Sequence, residues 1–445
     1  MEWKDFLKPV ECRCGRTHLS TIEHILVEDG ALLKLPEILK GYSYENICII
    51  SDIHTELAAG KAVGSILSGA GYEYKKIIIQ ENALIPDEYA IGTIMSQIDR
   101  HCGLIIAVGS GMINDLCKFI ACQLNADYFV IATAPSMVGY ASGAAQLIVR
   151  HMKTTYEVRL PKAILADIKI LCEAPMEMIN AGFGVILGNY FCLADWKMAH
   201  SILGEYRCPY VESLVKDSTE TVVSSTQGIK ERKPEAVKAL MEALILSGIA
   251  MSYVGNSRPA SGGEHELSHF WEMMSNIHGE TRPLHGTGVG VGTVVMLKMC
   301  EWFREEKLDI RAMRKQLSFD ETAWEEAVKS VCGPAAQEVI SLENRVHKNS
   351  VDAMDARLEN LKKKYNSMIK IMESLPSSEW AAGLLKNLGA PYKPSMIGVS
   401  GENLKNSIVY AKEFRNRFGF LQILFDTGLN HEYDKAIALW DSQEV

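Results

Sequence analysis

The sequence has no surplus of positive charge. Its 46 lysines and arginines stand against 55 aspartates and glutamates, for a formal net charge of −9. A chain without a basic face cannot neutralise a run of phosphates, which excludes nucleic acid as a partner. The short block "LKKKY" (361–365) reads as a solvated helix face. The N-terminal "MEWKDFLKPVEC" has no apolar signal core. Repeats and low-complexity linkers are missing, and 47% hydrophobic with 23% charged residues is neither a collagen-like nor a disordered composition. The eleven cysteines are odd in number and scattered, which argues against a disulfide framework. Free thiols in a reducing cytoplasm are expected. One stretch, Tyr128 to Val149, is uncharged and long enough to span a bilayer. Pro135, Gly139, Gly143 and Gln146 inside it predict a buried strand and loop, so no membrane span is expected.

What is present is a change of pattern along the chain. Short β-rich runs ("NICIIS", "KKIIIQ", "GLIIAV", "YFVIAT") alternate with helix-like runs over Glu56–Ser68, Asp87–His101 and Met112–Leu124. Strands alternating with helices predict βαβ units, a parallel sheet and ligands beyond the carboxyl ends of its strands. The stretch "AQLIVRHMKTTYEVRLPKAILADI" predicts a hairpin. From Ala174 onward strand signals fade, and apolar residues recur at helical spacing, as in Val237, Leu240, Met241, Leu244 and Ile245. Residues 301–375 read as polar surface helices. The expected organisation is an α/β dinucleotide-binding domain over 1–172 and an all-α domain over 173–445.

The segment "LIIAVGSGMINDLCKFIA" predicts a strand ending at Val108, a turn of Gly109, Ser110 and Gly111, and a helix from Met112. Glycine lets backbone approach a pyrophosphate, and the helix start offers N–H groups and a positive dipole end. Alone, this turn is a weak signal, because it is not the usual GxGxxG spacing. Asp52 in "IISDIHT" follows another strand end, where a carboxylate accepts ribose hydroxyls and repels an added phosphate. Thr133, Ser136 and Ser142 in "IATAPSMVGYAS" follow a third. Each alone reads equally well as capping or turn chemistry. Together they predict a dinucleotide site.

A second constellation is "NSRPASGGEHELSHFWEM" followed by "RPLHGTGVGVGT". His265 and His269 are four apart and share a helix face, and His285 follows a proline turn. Three imidazoles on glycine-rich segments suit a divalent transition metal, against the plainer reading of hydrogen-bonded core histidines. "HELSH" also matches the HExxH helix of zinc peptidases, with Glu266 as the base. The βαβ half of the chain argues against that reading. "CRCGRTH" offers Cys12, Cys14 and His18 as zinc donors but lacks a fourth, so it reads as an N-terminal segment without metal.

These segments resemble the sn-glycerol-1-phosphate dehydrogenase family, relatives of glycerol dehydrogenase, iron-type alcohol dehydrogenases and dehydroquinate synthase. The resemblance also covers "SDIHTELAAG", "LPKAILADIKILCEAPMEMINAGFG", "LADWK" and "IGVSGENLKNSIVYAKEFRNRFGFLQIL". It implies an active site in the cleft between the two domains. It implies hydride transfer between NAD or NADP and dihydroxyacetone phosphate, a small phosphorylated three-carbon substrate. It also implies a zinc or nickel ion and a homo-oligomer. By position, the nucleotide residues are Asp52, Gly109, Ser110, Gly111, Met112, Ile113, Asn114, Asp115, Thr133, Ala134, Pro135, Ser136 and Ser142. The metal histidines are His265 and His285, and His269 is the catalytic histidine that contacts substrate.

The chain departs from the pattern at four places. The family's metal-binding aspartate is Val185, its substrate-facing aspartate is Val138, and two lysine positions hold Asn189 and Gly288. Valine cannot ligate a cation. The competing expectation is a catalytically altered or silent nucleotide-binding relative.

Overall fold

The computed structural model describes residues 2–81, 84–149, 152–281, 283–306, 308 and 319–430. Two residues of the expected hairpin (150 and 151), and 307 with 309–318 of the expected surface helices, lie outside the described residues.

A short antiparallel pair, β1 (Val10–Glu11) and β2 (Thr17–His18), precedes the main sheet. The sheet opens with β3 (His24–Glu28), β4 (Ile47–Asp52), β5 (Tyr74–Ile79), β6 (Leu104–Gly109) and β7 (Asp127–Ala132). The chain then makes the antiparallel hairpin β8 (Ala144–Val149) and β9 (Met152–Glu157) and returns as β10 (Ala163–Asp167). The six sheet strands lie in the order β3-β10-β7-β6-β4-β5, and every pairing is parallel. Every residue of β4, β6 and β10 is buried. Strands covered on both faces need continuous apolar runs, which is why these are uninterrupted.

The expected strands and helices are present, with four differences, the first being that the helix expected over Asp87–His101 spans only Glu88–Met95. "AILAD" is β10, a parallel strand between β3 and β7, and no part of the hairpin. β3, an edge strand with a half-buried alternation, had no strand expectation. The helix expected from Glu56 begins as a π-turn over Glu56–Gly60. Lys76 Nζ and Ser51 Oγ hold the Glu56 carboxylate inward at 2.8 and 3.1 Å, above Gly60. A Cβ on Gly60 would stand 2.0 Å from that carboxylate, so the backbone widens around it.

The chain divides into two compact units, Met1–Ile186 with Tyr210–Ser257, and Leu187–Pro209 with Arg258–Val445. The first holds the sheet and the Pro234–Val254 helix. That helix starts with proline in its first turn and stops at Gly255 in the left-handed region (φ 79°). It is long and apolar enough to cross a membrane, but 72% of its apolar window is buried inside the protein. The uncharged Tyr128–Val149 stretch is β7, a loop and β8. The second unit is helical among the described residues.

Candidate functional site

In the first unit the topology gathers the expected nucleotide residues. From β4 the chain crosses to β5 on one side, and from β6 to β7 on the other. Adjacent β4 and β6 therefore flank the point where the strand order reverses, where doubly wound sheets bind ligands. Asp52 closes β4, Gly109 closes β6, and Thr133 follows β7, whose Ala132 pairs with Gly109. Thr133 N–H donates to Gly109 O at 3.2 Å.

The loop after β6 is held by its own side chains. Ser110 caps the Gly111–Leu124 helix in an extended conformation and hydrogen-bonds Ser136 through the two hydroxyls. Tyr140 Oη reaches Ser110 Oγ at 3.2 Å and Ala134 O at 2.7 Å. A Cβ on Gly109 would stand 2.7 Å from Ile113 Cβ, so the first glycine is needed for packing. Gly111 has room for one, its nearest neighbour Met137 Sδ lying 4.0 Å away. Met112 is exposed and Ile113 buried. Asn114 and Asp115 turn inward toward the buried Lys118. The Lys118 ammonium donates to Gly139 O at 2.9 Å and Ala144 O at 2.6 Å, and burial lowers its pKa against the pull of Asp115. Ser142 Oγ lies in the same cluster, 3.2 Å from Gly139 O.

Asp52 caps the helical turn that follows β4. Its Oδ1 accepts His54 N–H and Thr55 N–H, both at 2.8 Å, in a capping box with Thr55. Both bonds fall on one oxygen, which leaves Oδ2 available to a ligand hydroxyl. The plain capping reading is therefore correct and compatible with a second role.

In the second unit the three histidines meet. His265 and His269 project from the Gly263–His278 helix, and His285 opens the His285–Glu305 helix. Ring centroids stand 5.3 Å (His265–His285), 5.1 Å (His269–His285) and 6.2 Å (His265–His269) apart. Glycines allow the two helices to approach. A Cβ on Gly288 would lie 2.5 Å from Ser268 Oγ, and one on Gly292 would lie 2.6 Å from Glu264 O. A side chain at 288 would have to displace the Ser268 hydroxyl.

The rings have opposite partners. His265 Nδ1 meets Glu264 Oε1 at 2.7 Å, and His285 Nδ1 meets Glu272 Oε1 at 2.6 Å. A carboxylate only accepts, so each ring carries a proton on Nδ1. His269 Nδ1 instead faces Arg415 Nη2 at 3.1 Å. Guanidinium only donates, so His269 carries its proton on Nε2. Burial lowers the His265 pKa to about 4, against the pull of Glu264, and keeps the ring neutral at physiological pH. Arg415 and Arg417 are anchored on Ser261, at 3.2 Å to Oγ and 2.6 Å to the carbonyl. Glu266 is buried, its pKa raised by burial and held back by Arg417 and Arg415. The two "HELSH" histidines thus differ in partner, His265 on a carboxylate and His269 on a guanidinium.

Residue patterns alone missed Glu264, Glu272, Arg415 and Asp195. The Asp195 carboxylate accepts Phe420 N–H at 2.7 Å and Gly263 N–H at 3.1 Å, tying the start of the histidine helix to the C-terminal segment. All four lie inside segments that carry the resemblance ("LADWK", "NSRPASGGEHELSHFWEM" and "KEFRNRFGF"), but none was assigned a role there. Val185 is fully buried and Val138 half-buried.

Residues 26–175 match the iron-containing alcohol dehydrogenase family. A glycerol-1-phosphate dehydrogenase (NAD(P)+) of Geobacillus stearothermophilus is 31% identical over 422 residues, covering 93% of this chain and 95% of that protein. The enzyme of that name from Bacillus subtilis strain 168 is 28% identical over 92% of this chain and 93% of its own length. Among solved structures, a probable glycerol dehydrogenase from Sinorhizobium meliloti 1021 superposes with TM-score 0.60 at 15% identity, covering 95% of this chain and 97% of that one. A sulfoacetaldehyde reductase from Bifidobacterium kashiwanohense, solved with NAD+, gives 0.59 at 13% identity, covering 94% and 98%. The structural likenesses show a shared fold.

Proposed function

The chain belongs to the glycerol-1-phosphate dehydrogenase family, and from that premise we propose that it moves hydride between NAD(P)H and dihydroxyacetone phosphate, giving sn-glycerol 1-phosphate. The observation that carries this reading is the split among the histidines, two backed by carboxylates and one by a guanidinium.

The donor chemistry fits a divalent metal. Carboxylate-backed neutral imidazoles are the usual form of a metal-binding histidine. His265 and His285 would hold the ion through Nε2, with no protein carboxylate from position 185 or 138. A bound zinc or nickel ion supplies Lewis-acid polarisation of the substrate oxygen. His269 presents its Nε2 proton as a hydrogen-bond donor to that oxygen. Its Nδ1 is already occupied by Arg415, so the ring orients substrate and keeps its proton. The proton that completes the new hydroxyl then comes from solvent.

In the first unit, the Gly109–Gly111 turn and the helix start after it receive the pyrophosphate through backbone N–H groups. Asp52 Oδ2 accepts a ribose hydroxyl, which favours NADH over NADPH. A homo-oligomer is part of the same reading, and a monomeric mass in solution would contradict it. The decisive assay follows NADH oxidation with dihydroxyacetone phosphate, with and without added zinc or nickel, and determines the handedness of the product. Metal-dependent turnover to sn-glycerol 1-phosphate is expected; no turnover with any metal would remove the proposal.

A further inference from the structure

We propose that Cys12, Cys14, His18 and Cys208 hold a structural zinc ion, apart from the histidine cluster of the dehydrogenase. The sequence offers the first three donors in "CRCGRTH", and the fold supplies the fourth. The three sulfurs and the imidazole nitrogen all lie within 4.8 Å of one another. Tetrahedral zinc, with Zn–S of about 2.3 Å and Zn–N of about 2.0 Å, has donor-to-donor edges of about 3.5–3.8 Å. Cys14 Sγ stands 3.4 Å from His18 Nε2, close to one such edge.

The local structure aims each donor. β1 and β2 form a hairpin, closed by Cys12 N–H to Arg16 O at 3.1 Å and Gly15 N–H to Cys12 O at 3.0 Å. Gly15 takes the left-handed conformation (φ 85°) that this turn needs. His18, at the end of the hairpin, is fully buried. Its Nδ1–H donates to Tyr253 O at 3.1 Å, which leaves the lone pair on Nε2, on the side of Cys14. A backbone carbonyl on the far nitrogen is a recurrent outer partner of a zinc-binding histidine. The ring stacks on Tyr253 (5.2 Å) and Tyr210 (6.2 Å). Tyr210 lies in the first turn of the Pro209–Ser224 helix, and Cys208 is the residue that leads into that helix.

None of the eleven cysteines forms a disulfide. Three thiolates and one imidazole form a closed, soft donor set with no position left for substrate, the pattern of structural zinc. The complex carries one net negative charge, and two exposed arginines, Arg13 and Arg16, lie in the same turn. The ion would pin the hairpin to the helix start beside Tyr253, whose hydroxyl also holds Phe6 O at 2.5 Å.

The test uses the full chain. After growth with zinc and dialysis against a mild chelator, one zinc per chain should remain, and titration with p-mercuribenzoate should release it. Cobalt-exchanged protein should show thiolate-to-cobalt charge-transfer absorption, which His265 and His285 cannot produce because they offer no sulfur. Cys14→Ser and Cys208→Ser should each abolish that band, and His285→Ala should keep it. A cobalt protein without the band, or zinc that mercurial does not release, would overturn the proposal. Both readouts are taken on the native chain first, so a misfolded variant does not decide the outcome. Neither depends on turnover, so a failed dehydrogenase assay leaves this result standing.

Discussion

The strand-end loops of the first unit and the histidine cluster of the second differ in what fixes their geometry. In the loops it is strand register, glycines where no Cβ fits, and uncharged hydroxyl hydrogen bonds among Ser110, Ser136 and Tyr140. In the cluster it is side-chain charge. Glu264, Glu272 and Arg415 decide which nitrogen of each ring carries the proton. The first region should break under added volume with its chemistry unchanged. The second should lose its chemistry when one charge is removed and its fold is kept.

The largest expected effect is Gly182→Ala. Its Cβ, on the Met176–Leu203 helix, would stand 1.8 Å from Pro135 O, and neither that helix nor the loop after β7 can move cheaply. A loss of about 3 kcal/mol or more is expected, read by denaturant unfolding. A variant as stable as the parent would break the claim that backbone packing sets these loops.

Arg415→Ala comes next. Without the guanidinium, His269 can take its proton on either nitrogen, and a misplaced donor costs about 10²-fold in kcat. Bound metal and unfolding midpoint should stay unchanged, and Arg415→Lys should recover part of the rate. A loss confined to stability would assign Arg415 a packing role only.

Glu272→Gln should lower metal affinity about 10–100-fold, read by competition with a chelating dye. The resemblance puts a metal-binding aspartate at position 185, so Val185→Asp should raise metal affinity by about tenfold or more. No gain would mean that the two-imidazole set needs no third protein ligand. The smallest effect is expected for Asp52→Asn. Asparagine caps helices as well as aspartate does, so stability should hold while the NADPH KM falls a few-fold toward that of NADH.

The same contrast explains what could be read from sequence. β4, β6 and β7 were legible because both faces are buried and their apolar runs are continuous. β3 was not, because an edge strand of five residues with only Ile25 and Val27 buried carries little pattern. β10 looked like a hairpin arm because it follows one directly. The π-turn at Glu56 depends on Lys76, far along the chain. Among the site residues, the glycine turn and the i,i+4 histidines are local features. Glu264 stood beside His265 unnoticed, since adjacency says nothing about which oxygen meets which nitrogen. Arg415 and Cys208 are distant from their partners in sequence, and no local pattern announces either pairing. The glycine at 288 read as a lost lysine, whereas in the fold it faces Ser268 across the helix crossing.

The most direct test of the dehydrogenase reading is a single assay of purified protein with NADH, dihydroxyacetone phosphate and nickel or zinc, followed by stereochemical analysis of the glycerol phosphate formed. Metal-dependent NADH oxidation yielding the sn-1 product is the predicted result. NADH that stays reduced with each metal, in protein shown to be folded, would contradict it.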